Sequence, residues 1–475
     1  MLHTGEPENR YFCGRDMKST DMKSTDNRDS VDFGEVEVHK LFRSLFFPTL
    51  LGMLFNVAFI LTDGIFVGRG VGPEGLAGVN LVSPVMMFIT GIGMMFGIGS
   101  SVVAAIHLSK DNVKAARINI TQGLLASVVL SLIFSAVLYA FPDTVLKLLG
   151  TSEDLLPMAR EYLYWFVPTC ILIMIQIVGE FGIRLDGSPK YAMYCAIVPS
   201  VLNIILDYVF IFPLGWGIKG AAIATDIGTG VGACMSLWYF VGPAVKLRLY
   251  RLKLSRTSLL LSLRNVGYMV KVGFSGFIGE FAGSVMALCG NLAFGRLLGD
   301  SGIAAFSVAC YLVPIVYNVF YAVSSSAQPI ISFNFGSGKM DRASGTFRYG
   351  TGISVIFALA VTVLMWLFAP TVISIFLDRT TGSFAFAAEG LPLFALGFVL
   401  SGFNYCTIGY FQSLERNFIS TFLMSLRGIL LPIVMFLLLP HLFGAPGLWL
   451  AMPAAELICS AAAAFFLRRQ RVSLI

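Results

Sequence analysis

Beyond residue 40 the chain alternates between apolar runs and short polar breaks. Each run is near or above the length of about 20 residues that an α-helix needs to cross a bilayer. The runs fall near 43–68, 77–107, 119–141, 158–185, 191–213 and 218–242, then near 268–298, 303–333, 348–377, 385–413, 418–440 and 445–467. The pattern predicts an all-α integral membrane protein with twelve transmembrane helices. Residues 1–38 break it: they are polar and hold a tandem copy, Asp16 to Thr20 repeated as Asp21 to Thr25. Such a stretch cannot bury enough apolar surface to order itself, so 1–40 is expected to be a disordered cytoplasmic tail. It also lacks the short apolar core of a cleavable signal peptide.

Composition agrees with the pattern. Of 475 residues, 13% are charged and 56% apolar. That is about half the charge of an ordinary globular chain, which argues against a soluble enzyme. Eight cysteines show no CxxC spacing and four histidines are dispersed. Neither a disulfide framework nor a zinc site is indicated, and no cofactor is expected.

The net charge is +6, and its distribution is more informative than its size. Alternate breaks hold Lys110, Lys114 and Arg117, then Arg184 and Lys190, the run from Lys246 to Lys271, Lys339, Arg342 and Arg348, and finally Arg468, Arg469 and Arg471. The opposite breaks hold scattered bases such as Arg69, Lys147 and Arg296. The positive-inside rule puts the basic breaks, and both termini, in the cytoplasm of an inner or plasma membrane. The basic break between the sixth and seventh runs is read as a cytoplasmic linker at 246–267, dividing 41–245 from 268–475. The lipid bilayer is an expected partner and nucleic acid is not.

A shift of 227 positions superposes the two halves. Gly68-Arg69 falls on Gly295-Arg296, Gly72 on Gly299, Gly75 on Gly302, Pro213 on Pro440 and Gly217 on Gly444. Each half has six runs, an even number, so both enter the membrane in the same sense. Two parallel six-helix repeats are an arrangement of transporters that rock two bundles about a central site. An intramembrane enzyme would need a nucleophile or a His or Cys constellation, and none is evident.

Ionisable residues inside the runs carry the chemistry, because each costs free energy in a bilayer. They are Asp63, Glu180, Asp207, Asp226, Glu280 and Glu456, with Arg427 as a basic exception. At the offset of 227, Asp63 maps to Gly290, Asn203 to Leu430, Asp207 to Val434 and Thr225 to Met452. Scaffold residues repeat and these polar residues do not, which points to a site in the first half. Asn203 and Asp207 are one turn apart on one helix face. With Asp63 and Thr225 they supply oxygens suited to Na⁺, or to a carboxylate that takes up a proton; a packing network is the plain alternative. Glu180 and Arg184 share a face and are read as an ion pair or as substrate contacts. Glu280 is a candidate contact for a cationic substrate. Pro48 could kink the first helix, which carries Asp63.

Four segments carry a family resemblance: Thr62-Asp63-Gly64-Ile65-Phe66-Val67-Gly68-Arg69, Gly75-Leu76-Ala77-Gly78-Val79-Asn80, Arg184-Leu185-Asp186-Gly187-Ser188-Pro189-Lys190, and Gln328-Pro329-Ile330-Ile331-Ser332-Phe333-Asn334-Phe335-Gly336. With the twelve runs and the repeat, the chain over 41–467 resembles the multidrug and toxic compound extrusion (MATE) family. The resemblance implies alternating access between two lobes and export of organic cations or amphipathic compounds in exchange for H⁺ or Na⁺. It implies that Asp63, Asn203, Asp207 and Thr225 form an N-lobe cation site like that of the DinF-like branch, and that Pro48 is a hinge. The C-lobe acid of the NorM-like branch falls at Asn404, which favours N-lobe coupling, and Glu280 lies near that branch's helix-7 acid. Each chain is expected to hold a whole pathway and to work as a monomer. A lipid-linked precursor flippase of the same superfamily is the nearest alternative, although the intramembrane charges here are mostly acidic.

Overall fold

The structure, a computed structural model, describes residues 32–472 except 243, 244 and 254. Its helices are α1 Val38–Gly70, α2 Pro73–Leu108, α3 Val113–Ala140, α4 Pro142–Leu148, α5 Leu156–Phe166, α6 Thr169–Leu185, α7 Pro189–Ile211 and α8 Gly217–Val241. The second half continues with α9 Arg256–Gly336, α10 Met340–Ile373, α11 Gly382–Ser413, α12 Asn417–Ser425, a π-helical turn Leu426–Leu430, α13 Leu431–Phe443 and α14 Ala445–Val472. Local chemistry sets many boundaries. Proline opens α2, α4 and α7, where its missing N–H is no loss. The Asn112 side chain accepts from Ala115 N at 3.1 Å and caps α3.

Among the described residues nine helices are long and apolar enough to cross a membrane, and α5 with α6, bent by 49°, makes a tenth. The 81-residue α9 leaves helical geometry at Gly299 (φ 64°, ψ −156°), a left-handed turn that glycine adopts freely, so it folds into two spans, 256–298 and 300–336. Counting α8, the bundle has the twelve spans that the hydropathy pattern predicts. Large apolar side chains cover its outside, among them Trp238 at 78% exposure and Leu367 at 69%. Such a surface suits acyl chains rather than water.

The two largest buried clusters each stay within one half, while two smaller ones span both, around Phe42, Ile330 and Tyr410 and around Val102, Phe181 and Met269. One cluster of buried residues draws only on 67–222, around Ile89, Phe166 and Met174, and another only on 278–463, around Phe294, Phe306 and Trp449. The halves meet along α2 and the first span of α9, with glycines at the closest points. A Cβ at Gly99 would run into the Met269 carbonyl, and one at Gly273 into the Met95 carbonyl. Amide clasps flank this seam: Asn265 Nδ2 donates to Asn119 Oδ1 at 2.7 Å and to Gln122 Oε1 at 2.6 Å, and Gln328 Nε2 to Ser101 Oγ at 3.3 Å. All of these contacts lie toward the end that carries the basic breaks, so the bundle is closed there.

Two boundaries differ from the sequence expectation. Residues 1–31 of the expected tail, the tandem copy included, lie outside the described residues. Residues 38–40 form the first turn of α1, and 32–37 pack on the second half. Phe33 is buried against Phe333, with ring centroids 5.9 Å apart. Its carbonyl accepts from Asn334 Nδ2 at 3.0 Å, and Lys339 Nζ donates to Gly34 O at 3.1 Å. One buried aromatic and saturated carbonyls order a segment whose composition alone does not. The linker is also shorter than expected. Ser255 accepts from Ser258 N at 3.3 Å, so helix begins at Arg256 rather than at 268. The chain before it is pinned by Asp186, whose carboxylate accepts from Leu247 N at 2.8 Å and Tyr239 Oη at 2.7 Å. Burial pushes this Asp186 carboxyl above its ordinary range despite those donors.

Candidate functional site

Asp63 comes from α1, Asn203 and Asp207 from α7, and Thr225 from α8, three helices that pack side by side. Gly228 on α8 permits the approach, since a Cβ there would sit 3.0 Å from the Pro199 carbonyl oxygen and 3.1 Å from Asn203 Cβ. Asp207 is 0% exposed and Asn203 3%. The Asn203 Nδ2 donates to Thr225 Oγ1 at 3.2 Å, and that hydroxyl donates to Ala221 O at 3.1 Å. The Asp63 and Asp207 carboxyls lie against one another. Four buried oxygens here meet no donor: Asp63 Oδ1, Asn203 Oδ1 and both of Asp207. Each such group costs about 1–3 kcal/mol when unsatisfied. Two adjacent carboxylates also repel, and a shared proton or a cation between them removes the repulsion. The donor set is all oxygen, which fits Na⁺ or a proton and not a soft transition metal.

The structure thus brings together the four residues singled out in the sequence. Asp226, adjacent to Thr225, has a different task. It accepts from the Thr169 hydroxyl at the first residue of α6, where the fourth span breaks after Pro168.

The remaining sequence candidates lie elsewhere. Glu180 accepts from Gln176 Nε2 at 3.2 Å and forms no ion pair with Arg184. The ion pair, one of the two readings of these residues, is not formed: Arg184 Nε donates to the Glu180 backbone carbonyl at 3.2 Å while the rest of the guanidinium reaches across the seam. Its Nη1 donates to Ser325 Oγ at 2.8 Å and its guanidinium stacks 4.4 Å from the Phe181 ring. Glu280 faces a cavity of about 90 Å³ between the halves, lined also by Met94, Tyr321, Gln328 and Tyr405, and has no hydrogen-bond or ion-pair partner among the described residues. Pro48 lies inside α1, which runs unbroken through it. Asn404 is not at an open site: it donates to Glu456 Oε2 at 2.7 Å, and Arg427 pairs with the same carboxylate.

Comparison with known proteins gives this geometry a family. The MatE family model matches twice, at 48–209 and 277–438, once in each half. The multidrug export protein MepA of Staphylococcus haemolyticus is 24% identical over 436 residues, 91% of this chain and 94% of that protein. An FAD transporter of Shewanella oneidensis is 26% identical over 336 residues, 69% of this chain and 72% of that one. Among solved structures, an outward-facing multidrug resistance MATE family transporter of the MOP superfamily superposes with a TM-score of 0.85 at 23% identity, over 95% of this chain and 99% of that one. A MOP superfamily transporter from Pyrococcus furiosus gives 0.84, also at 23% identity and the same coverage. With the family model matching more than half of its length, the chain belongs to the MatE family of multi-pass membrane transporters, and is not an enzyme.

Proposed function

We propose that the protein is a secondary active antiporter that exports organic cations or amphipathic compounds in exchange for H⁺ or Na⁺. In this reading residues 41–245 are an N-lobe, the C-lobe begins with α9 at Arg256, and the basic end with both termini faces the cytoplasm of the cell membrane. The observation that carries the proposal is the group of four donorless oxygens at Asp63, Asn203 and Asp207. A site so buried and so oxygen-rich favours an arriving cation, and it sits on α1, a helix that touches both halves. Binding there changes the charge of the α1–α7 contact, and differential binding between two lobe arrangements is what moves such an equilibrium. Glu280, facing the inter-lobe cavity, is a carboxylate for a cationic substrate. A monomer suffices, because each chain supplies both lobes and the cavity between them.

The test is ethidium uptake into everted vesicles, with a pH gradient and a Na⁺ gradient imposed separately. Uptake should follow one gradient and vanish in Asp207→Asn at unchanged expression. Transport by both Asp63→Asn and Asp207→Asn would overturn the N-lobe site. A second reading follows from the likeness to an FAD transporter, and it takes Arg184 beside the cavity as the contact for an anionic substrate. Inhibition of ethidium uptake by excess FAD would favour it.

A further inference from the structure

Arg427 lies in the π turn between α12 and α13 and is 3% exposed. Such turns insert one residue into a helix and recur at functional sites. The guanidinium meets the Glu456 carboxylate of α14 side-on, with Nη2 2.8 Å from Oε1 and Nε donating to Oε2 at 3.1 Å. The rings of Tyr405 and Tyr317 stand 4.1 and 4.9 Å from its central carbon. Glu456, 1% exposed, also accepts from Asn404 Nδ2, and Asn404 Oδ1 accepts from Ser460 Oγ at 3.0 Å. A buried carboxylate, an amide and two aromatic faces are the chemistry that encloses an organic cation. Here the enclosed cation is covalently attached to the chain.

The internal repeat gives this cage a context. At the offset of 227, Arg427 corresponds to Ser200 and Glu456 to Thr229. Those positions are about one helical turn from Asn203 and Thr225. Each half therefore carries a polar cluster on the same pair of spans at nearly the same depth. In the first half the cluster ends in oxygens without donors, whereas in the second the carboxylate is already answered. Tyr405, one wall of the cage, is also a wall of the inter-lobe cavity.

We propose that Arg427 is a tethered cation filling a second cation site, so that the C-lobe stays permanently in its cation-bound form and the coupling ion enters the N-lobe alone. The last clause rests on the N-lobe reading above; the filled cage does not. By holding Tyr405 in place, Arg427 acts as a positioning residue for the cavity.

The test uses the full chain in nanodiscs, with guanidinium ion as the probe. Arg427→Ala should bind one guanidinium per chain and melt at a higher temperature in millimolar guanidinium chloride, and the wild type should do neither. Ethidium transport by Arg427→Ala in proteoliposomes should fall about tenfold, since a buried carboxylate loses its counter-charge, and guanidinium should restore it. Adding Glu456→Gln should abolish guanidinium binding, whereas adding Asp207→Asn should leave it intact. Absence of guanidinium binding to Arg427→Ala, or binding that requires Asp207, overturns the assignment. If Arg427→Ala aggregates in plain buffer, solubilisation in guanidinium should recover monodisperse protein, and failure to recover it counts equally against the proposal. Wild-type transport by Asp207→Asn alone would instead sink the N-lobe reading and leave the guanidinium result standing, so the two failures are distinguishable.

Discussion

Thr225 and Asp226 are chain neighbours with polar side chains in the same span, yet their partners assign them different work. Thr225 takes the Asn203 amide at 3.2 Å and so fixes the turn of that amide, whose oxygen is buried without a donor. Asp226 instead accepts from the Thr169 hydroxyl at the start of α6. Thr225→Val keeps the shape and removes the acceptor, which leaves the amide free to turn. It should weaken half-saturation by the coupling ion about tenfold, the effect of roughly one lost hydrogen bond, with little change in melting temperature. Asp226→Ala removes a hydrogen-bond acceptor and should cost about 1 kcal/mol of stability while leaving ion half-saturation in place. Thermal denaturation and the ion dependence of ethidium uptake read the two quantities separately. Equal effects of both variants on ion half-saturation would mean that the two side chains belong to one site.

Among the elements, α2 and α9 set how closely the halves can approach. Gly273 has no room for a side chain because the atom it would strike is backbone, the Met95 carbonyl, which no rotamer change can move. Gly283, farther along the same span, would meet nothing within 4 Å and serves as a control. Gly273→Leu should therefore disfavour the closed seam by about 1–3 kcal/mol, a shift of roughly 5- to 150-fold in population. Ser101, 1% exposed in the wild type, reports the change. A cysteine placed there should react with a water-soluble maleimide only in the Gly273→Leu background. Labelling that is unchanged by Gly273→Leu, or equal in Gly283→Leu, would mean that this seam does not gate the basic end.

The same elements show what sequence pattern can and cannot carry. Long apolar runs locate the spans because a bilayer imposes their length and polarity, and the offset of 227 exposes the repeat because glycine and proline positions are backbone requirements. The Asp63, Asn203, Asp207 and Thr225 group is legible for the converse reason, since polarity that fails to repeat is not scaffold. Other features depend on distant partners that one segment's composition does not encode. The bend after Pro168 is stabilised by Asp226, some distance along the chain, and the ordering of 32–37 depends on Asn334, Lys339 and Arg342. The partner of Arg427 is chosen by a π turn that rotates it toward Glu456, and no periodicity in the apolar pattern announces that turn.

At the scale of the whole molecule, two large cores, each packed within one half and joined across a shared seam, favour rigid-body motion over deformation. Each core is close-packed, and packed interiors resist continuous strain. The contact between the halves, by contrast, runs along α2 and α9 and through two smaller apolar clusters that draw on both halves, with single hydrogen bonds from amide side chains as clasps toward the basic end. Opening there should pivot the halves so that the opposite end closes. Spin labels at Lys114 and Asp341 report the basic end, and labels at Ser152 and Arg379 the other; all four positions are exposed. In a background without native cysteines, Asp207→Asn imitates the neutral, ion-satisfied site. It should change the two distances with opposite signs, lengthening one pair as the other shortens. If both pairs lengthen or shorten together, the halves are separating or compacting rather than rocking. If neither moves, charge at the α1–α7 contact does not drive the lobes, and coupling must act on substrate affinity within one fixed arrangement.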